Sequence, residues 1–350
     1  MNPDVASLSA AALLGIPADR PERLFAGSPT DVRHDYRRLA MRWHPDRCAD
    51  PQAHAVFQHV AHLYGQAEAR IGCGDRACRA PLRLVAVDGR TYEIAWLRRH
   101  PFELGTMFVG STVVAFVVAR AHADLVDNAE RTLRTLPWAN ERMRAQIAGL
   151  LPSYPFAGAF ATADAYVIVV RKRPDVLLLR DVLDYAGGRL DARHVAWVVS
   201  ALLNVCCYLQ YAGLVHNALS PDTCFISPPD HAVSVLGGWW FAAAAGGRLA
   251  AAPAATIAWG PHDLMDRGRA DARTDLELVR AVGRELLGDV SGVRLARANA
   301  APAAMIDWLR LPASNDPIED YRTWRSRVLP DSFGARRFVE LPLTQSDIYR

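Results

Sequence analysis

Between residues 31 and 43, Val32, Tyr36, Leu39, Ala40 and Trp43 recur at helical spacing, so one face of this segment is apolar. Arg33, Arg37, Arg38 and Arg42 fall largely outside that stripe. From 50 to 70 the same period returns in Val56, Phe57, Val60, Leu63, Tyr64 and Ala67. Two antiparallel helices would therefore bury one shared seam and present the tripeptide His44-Pro45-Asp46 at their joint. Proline fixes its own φ and biases His44 away from the helical region. The first helix of the pair should end near Trp43, with imidazole and carboxylate projecting from a stiff corner. Ser28 as N-cap and Pro29 at the first helical position predict where that helix begins.

From Leu82 the pattern changes to β-branched, strand-like runs over 82–87, 91–97, 106–109 and 112–119, separated by Asp88-Gly89 and single glycines. A helical segment over 124–136 follows, then a strand over 165–170, a helix-rich stretch over 177–211 and a strand over 232–236. The short stretch 72–81, containing Gly, Cys and Arg, joins the two patterns. The fold class is therefore α+β.

The paired helices around His44-Pro45-Asp46 resemble a J domain, the module of DnaJ-type co-chaperones. The resemblance implies docking on a DnaK-type heat-shock ATPase through the basic face that carries Arg33, Arg37, Arg38 and Arg42. It also implies use of His44, Pro45 and Asp46 to trigger ATP hydrolysis, with no catalyst in the loop itself. A J domain begins with a short helix ending in Leu-Gly. Here Leu14-Gly15 lies farther upstream than usual and Leu24 to Gly27 lies closer, so that helix falls either over 9–14 or over 20–25.

Downstream, the run from Leu214 to Ile226, with His216-Asn217-Ala218-Leu219 and Thr223, resembles a protein-kinase catalytic loop, in which His-Arg/Gly-Asp-Leu-x-x-x-Asn ends on a short strand. Gly237-Gly238-Trp239-Trp240 falls where a kinase carries Asp-Phe-Gly. Pro261-His262 is similar to the Pro-Glu that closes an activation segment. Asp271 to Leu276, with Asp275, is similar to the start of the central helix of the large lobe. In a kinase the loop Asp orients the substrate hydroxyl, the Asn and the Asp-Phe-Gly Asp hold magnesium, and a strand lysine pairs the phosphates. The base position here is Ala218, the Asn position is Thr223, and Gly237 and Gly238 leave no carboxylate for metal. Phe116 stands near the lysine position and Glu130 at that of its partner. The chain's one lysine, Lys172, lies where the hinge between lobes belongs. Gly105 and Gly110 are too sparse for a phosphate loop. Phosphoryl transfer rests on positioning and charge stabilisation, so these losses imply a pseudokinase, a kinase-shaped scaffold kept for binding.

Composition narrows the picture further. Formal net charge is +3 with both signs intermixed, so neither nucleic acid nor anionic lipid is expected as a partner. No basic n-region precedes a long apolar run, and the uncharged stretch 195–215 carries Ser200, Asn204 and Gln210. It reads as a buried core helix rather than a membrane span, and the chain as cytoplasmic. The six cysteines lack disulfide-framework spacing, and Cys73 and Cys78 lack the second pair that tetrahedral zinc needs. His54, His59 and His62 read as a solvated helix face. No metal and no cofactor are expected.

The expected organisation is an all-α J-like helical hairpin over 1–75, a joint over 76–81, a sheet-rich kinase-like small lobe over 82–175 and a helical large lobe over 176–350. The leading functional expectation is a co-chaperone whose kinase-like part binds a client or assembly partner. One alternative is a nucleotide-binding transferase using Asp222, Asp263 or Asp275 for metal. Another is an adaptor with a J-like docking arm that does not stimulate the ATPase.

Overall fold

The computed structural model describes residues 8–349 apart from 18–19, 26–28, 44–47, 49, 72–79, 155–158 and 336. The side chains of 22, 29–31, 33–34, 37, 41 and 65–71 also lie outside the description. The chain divides into two compact units, Met1–Ala80 and Pro81–Tyr349.

The first unit is helical. Its elements are α1 (Ala10–Leu14), a single 3-10 turn at Pro21–Arg23, α2 (Pro29–Arg42) and α3 (Ala53–Ile71). Helix α1 opens on Ser9, whose hydroxyl accepts the Ala12 amide at 3.3 Å. The two stripes read from sequence meet in one core: Val32, Leu39 and Trp43 from α2 lie with Val56, Val60 and Leu63 from α3. Each such side chain contributes about 1.5 to 3 kcal/mol by leaving water. Tyr36 stacks on Tyr64 with ring centroids 3.9 Å apart. Both stretches left open for the first helix join this core. Leu13 comes from α1, while the 3-10 turn delivers Leu24 and Phe25. Ser28 lies outside the described residues, but α2 begins at Pro29.

The second unit opens with a hairpin of β1 (Leu82–Val85) and β2 (Thr91–Ile94), turned at Asp88-Gly89 where Gly89 has φ +86°. The strand expected over 91–97 ends early, at Ile94, and the chain next pairs as β3 (Arg98–Phe102), which was not expected. A five-stranded antiparallel sheet then takes the order β3-β4-β5-β7-β6, with β4 (Gly105–Val109), β5 (Val113–Ala119), β6 (Phe160–Ala161) and β7 (Ala165–Arg171). Pro101 lacks an N–H and is tolerated because β3 is an edge strand. Helices α4 (Ala123–Arg134) and α5 (Glu141–Ile147) lie between β5 and β6 in the chain. This is the sheet-rich small lobe.

The helical lobe follows the connection 172–176. It contains β8 (Leu177–Leu178), α6 (Leu179–Tyr185), α7 (Ala192–Tyr211), β9 (Leu214–Val215), β10 (Cys224–Ser227), β11 (Ala232–Val235) and β12 (Ala243–Ala244). Next come α8 (Ala254–Trp259), α9 (Leu264–Arg267), α10 (Ala272–Leu286), α11 (Ala303–Arg310) and α12 (Pro317–Thr323). A π-helical turn Trp324–Val328, α13 (Leu329–Phe333) and α14 (Gln345–Ile348) complete it. Helix α7 is long and apolar enough to cross a membrane by length and composition alone. Here its Val195, Val198, Val199, Leu202 and Leu203 are buried inside the lobe, with α10 and α12 packed alongside.

One charged pair is built into that helical core. Arg280 of α10 donates to Asp320 of α12 at 2.7 Å, both are buried, and the guanidinium lies 4.0 Å from the Trp308 ring centroid. Removing one partner leaves the other charge dry and unpaired. Asp320→Ala should lower the stability of the second unit by about 3 to 5 kcal/mol, whereas the apolar pair Arg280→Met with Asp320→Leu should stay near the natural chain. Urea unfolding of both variants checks this, and equal losses would contradict it.

Candidate functional site

Two regions carry the chemistry singled out in the sequence. On the first unit, α2 turns Val32, Leu39 and Trp43 inward. Arg42 is exposed, with its guanidinium 5.5 Å from the Trp43 ring centroid, and Arg38 is half-buried. Arg33 and Arg37 lie on the same helix, their side chains outside the description, and His44, Pro45 and Asp46 lie outside the described residues. On α3, His54 and His62 are exposed. His59 departs from the solvated-face expectation: it is half-buried, with Nε2 2.9 Å from the Ile16 carbonyl oxygen.

The second region is the loop between β9 and β10. Asp275, in the first turn of α10, is fully enclosed and accepts two backbone amides, His216 N–H at 2.7 Å and Asn217 N–H at 2.8 Å. Asn217 takes a left-handed φ of +62°, and its side-chain amide donates to the carbonyls of Val215 and Phe241. His216 is buried, its Nε2 3.0 Å from the Gly237 carbonyl oxygen and its ring edge-to-face with Trp239. The Thr223 hydroxyl donates to the Ala218 carbonyl at 2.7 Å, closing the loop on itself. Gly238 has φ +82°, and a Cβ there would lie 2.7 Å from His216 Cε1 and 3.0 Å from the Ala218 methyl. A carboxylate-bearing residue at that position would collide with the loop as it is folded.

Phe116 of β5 is buried against Trp240, ring centroids 5.1 Å apart, and Phe102 of β3 stacks on the same indole at 5.2 Å. Three aromatic rings therefore pack together around Phe116, the residue expected near the lysine position. Helix α4 is fixed to the segment after the loop by Asn128, whose amide donates to the carbonyls of Trp240 and Ala242. Sequence reasoning had no signal for this residue, since a lone Asn on a helix is ordinarily solvated. Glu130 is held by two partners. It accepts the Ala159 amide and lies 3.4 Å from Arg134, largely enclosed.

The carboxylates considered for metal are each engaged. Asp222 receives both arms of Arg180 at 2.9 Å, and Arg180 also meets Glu285. Asp263 pairs with Arg267 and lies 3.7 Å from Arg273. Asp275 caps the loop amides. Among the described residues no group of three His, Cys, Asp or Glu side chains is placed to hold a metal ion. Lys172 points into protein, donating to the carbonyls of Ser111, Arg173 and Val176, and burial lowers its pKa to about 8.

With this geometry in place, the chain can be compared with known proteins. No protein-family model matches it. Over 78 residues it is 37% identical to chaperone protein DnaJ 1 of Aromatoleum aromaticum, which is 22% of this chain and 20% of that protein. The chain thus spans about a fifth of the length of this curated relative. The solved structure of vaccinia related kinase 3 superposes with a TM-score of 0.48 at 13% identity, covering 72% of this chain and 91% of that one. The chain thus carries a segment similar to DnaJ together with an α+β unit made of a five-stranded antiparallel sheet and a helical lobe.

Two buried groups in the loop titrate in opposite senses. Burial raises the Asp275 carboxyl from 3.8 to about 7, against the pull of its two amide donors. Its contribution to stability is full below pH 3.8 and is lost as pH rises towards 7. Burial lowers His216 from 6.5 to about 4, so its contribution is full above pH 6.5 and is lost as pH falls towards 4. The two slopes offset each other. Asp275→Asn removes one of them, and it also turns an amide NH2 toward a donor, costing about 1 to 3 kcal/mol. The variant's urea stability should therefore fall more steeply than the natural chain's on acidification from pH 6.5 to 4. Parallel pH profiles would contradict the assignment.

Proposed function

We propose that the chain is a J-domain co-chaperone that recruits a DnaK-type ATPase and stimulates its ATP hydrolysis. In this reading the kinase-like domain is a non-catalytic module that binds a client or assembly partner in the cytoplasm. The observation that carries the proposal is the DnaJ-like sequence in which His44-Pro45-Asp46 joins two helices with one shared core. The basic residues Arg33, Arg37, Arg38 and Arg42 of α2 are the docking face in this reading. Solvated charges of that kind steer encounter more than they add affinity.

The non-catalytic reading is supported by the contents of the loop. Ala218 has no group that can accept a proton, Thr223 spends its hydroxyl on the loop's own backbone, and Gly237-Gly238 bring no carboxylate. The ring cluster of Phe102, Phe116 and Trp240 offers apolar surface where phosphates need cations. Without the positioned charges, binding energy for a transferring phosphoryl group has no source.

Steady-state ATP turnover by a bacterial DnaK, with the full chain added, tests the first part. Stimulation should be lost in His44→Gln and in Asp46→Asn, while circular dichroism stays that of the natural chain. Equal stimulation by all three proteins would remove the proposal. For the second part, magnesium-ATP should leave the melting temperature of the chain unchanged. A site filled at about 100-fold excess over its Kd would add about 2.7 kcal/mol, so real binding is easily seen. A metal-dependent shift would favour a nucleotide-using enzyme instead.

A further inference from the structure

The hinge end of the cleft between the two lobes is occupied by the chain itself. Helix α14 and Tyr349 lie against the connection 172–176, with Ile348 4% and Tyr349 2% exposed. A four-residue helix has no stability of its own, so its order comes from what it docks on. The Tyr349 hydroxyl accepts the Leu178 amide at 3.0 Å, at the start of the helical lobe. The Ile348 carbonyl accepts Arg98 of β3 at 3.1 Å, in the small lobe. The Gln345 side chain donates to the Ser111 hydroxyl at 3.1 Å in the β4–β5 side of the sheet region, and its oxygen lies 3.5 Å from Lys172 Nζ in the connection. Beside Tyr349, the buried Asp181 of α6 lies 3.0 Å from His100 Nε2 of β3. Burial, then the Asp181 charge, pushes the Tyr349 phenol far above its usual range. The Gln345 side chain, the Ile348 carbonyl and the Tyr349 hydroxyl are thus matched on both lobes and on the connection between them.

We propose that the hinge end of the cleft is a binding slot for a tyrosine-bearing peptide segment, and that Thr344–Tyr349 is its built-in ligand, clasping the two lobes and keeping the slot shut. The slot reads three features of its ligand: a tyrosine whose ring fills the apolar space and whose hydroxyl meets Leu178 N–H, a carbonyl one residue earlier for Arg98, and an amide side chain four residues before the tyrosine for Ser111 and Lys172. The slot stands on these contacts alone, independently of any role in stimulating DnaK. A Thr344–Asp347 capping box pre-shapes the turn that presents these groups together.

The chain has one lysine, so an amine-reactive ester reads the state of the slot at Lys172 directly by mass spectrometry. In the natural chain acylation at pH 8 should be slow, because opening must precede attack. Gln345→Ala with Tyr349→Ala should raise the rate about tenfold, as expected when a protecting local contact is lost. A synthetic peptide of residues 342–350 at about millimolar concentration, near the effective concentration of a tethered segment, should restore protection. The same peptide carrying Tyr349→Ala should not. Equal rates in natural chain and double variant, or no effect of the peptide, overturn the proposal. If the double variant does not fold, Tyr349→Phe decides. It keeps the ring and loses only the hydroxyl's contacts with Leu178 and Asp181, so labelling about threefold faster supports the slot and an unchanged rate overturns it.

Discussion

The second unit depends on one carboxylate. Asp275 sits in the first turn of α10 and holds two successive amides of the β9–β10 loop. Those amides belong to a backbone that would otherwise be buried without partners. A dry N–H costs more than an ordinary hydrogen bond returns. With the loop so fixed, Asn217 can remain at positive φ, His216 can reach the Gly237 carbonyl, and the Thr256 hydroxyl can meet the Asn217 carbonyl at 2.7 Å. The loop is a structural keystone. Its polar groups are spent on one another.

Packing and pairing extend beyond the loop. Phe116 lies beside Trp240, the candidate metal carboxylates answer to arginines or amides, and the lone lysine is surrounded by carbonyl oxygens. Each arrangement is ordinary for a folded core. Together they leave these groups closed and satisfied rather than open and charged.

Long, periodic elements were legible in the sequence. The apolar stripes of α2 and α3 predicted their shared core, and the uncharged run predicted a core helix in α7, because burial imposes a period that composition cannot hide. The catalytic-loop resemblance led to Asp275 and His216 before any geometry was known. What escaped was either short or non-local. Strand β3 reads Arg-Arg-His-Pro-Phe, with no alternation to mark it, since an edge strand answers to few neighbours. The roles of Glu130 and Asn128 escaped because their partners, Ala159 and the segment 240–242, lie far along the chain. The α14 contacts with Arg98 and Ser111 span more than two hundred residues, beyond the reach of any local pattern.

The awkward composition of β3 has a use of its own. An outermost strand offers a row of unpaired backbone groups to any extended chain that drifts past, and for a protein proposed to keep company with unfolded clients such encounters are routine. Pro101 cannot donate a ladder bond, and Arg98 and Arg99 bring charge to the same rim. The sheet therefore ends in a strand that discourages further pairing by an extended chain that reaches it.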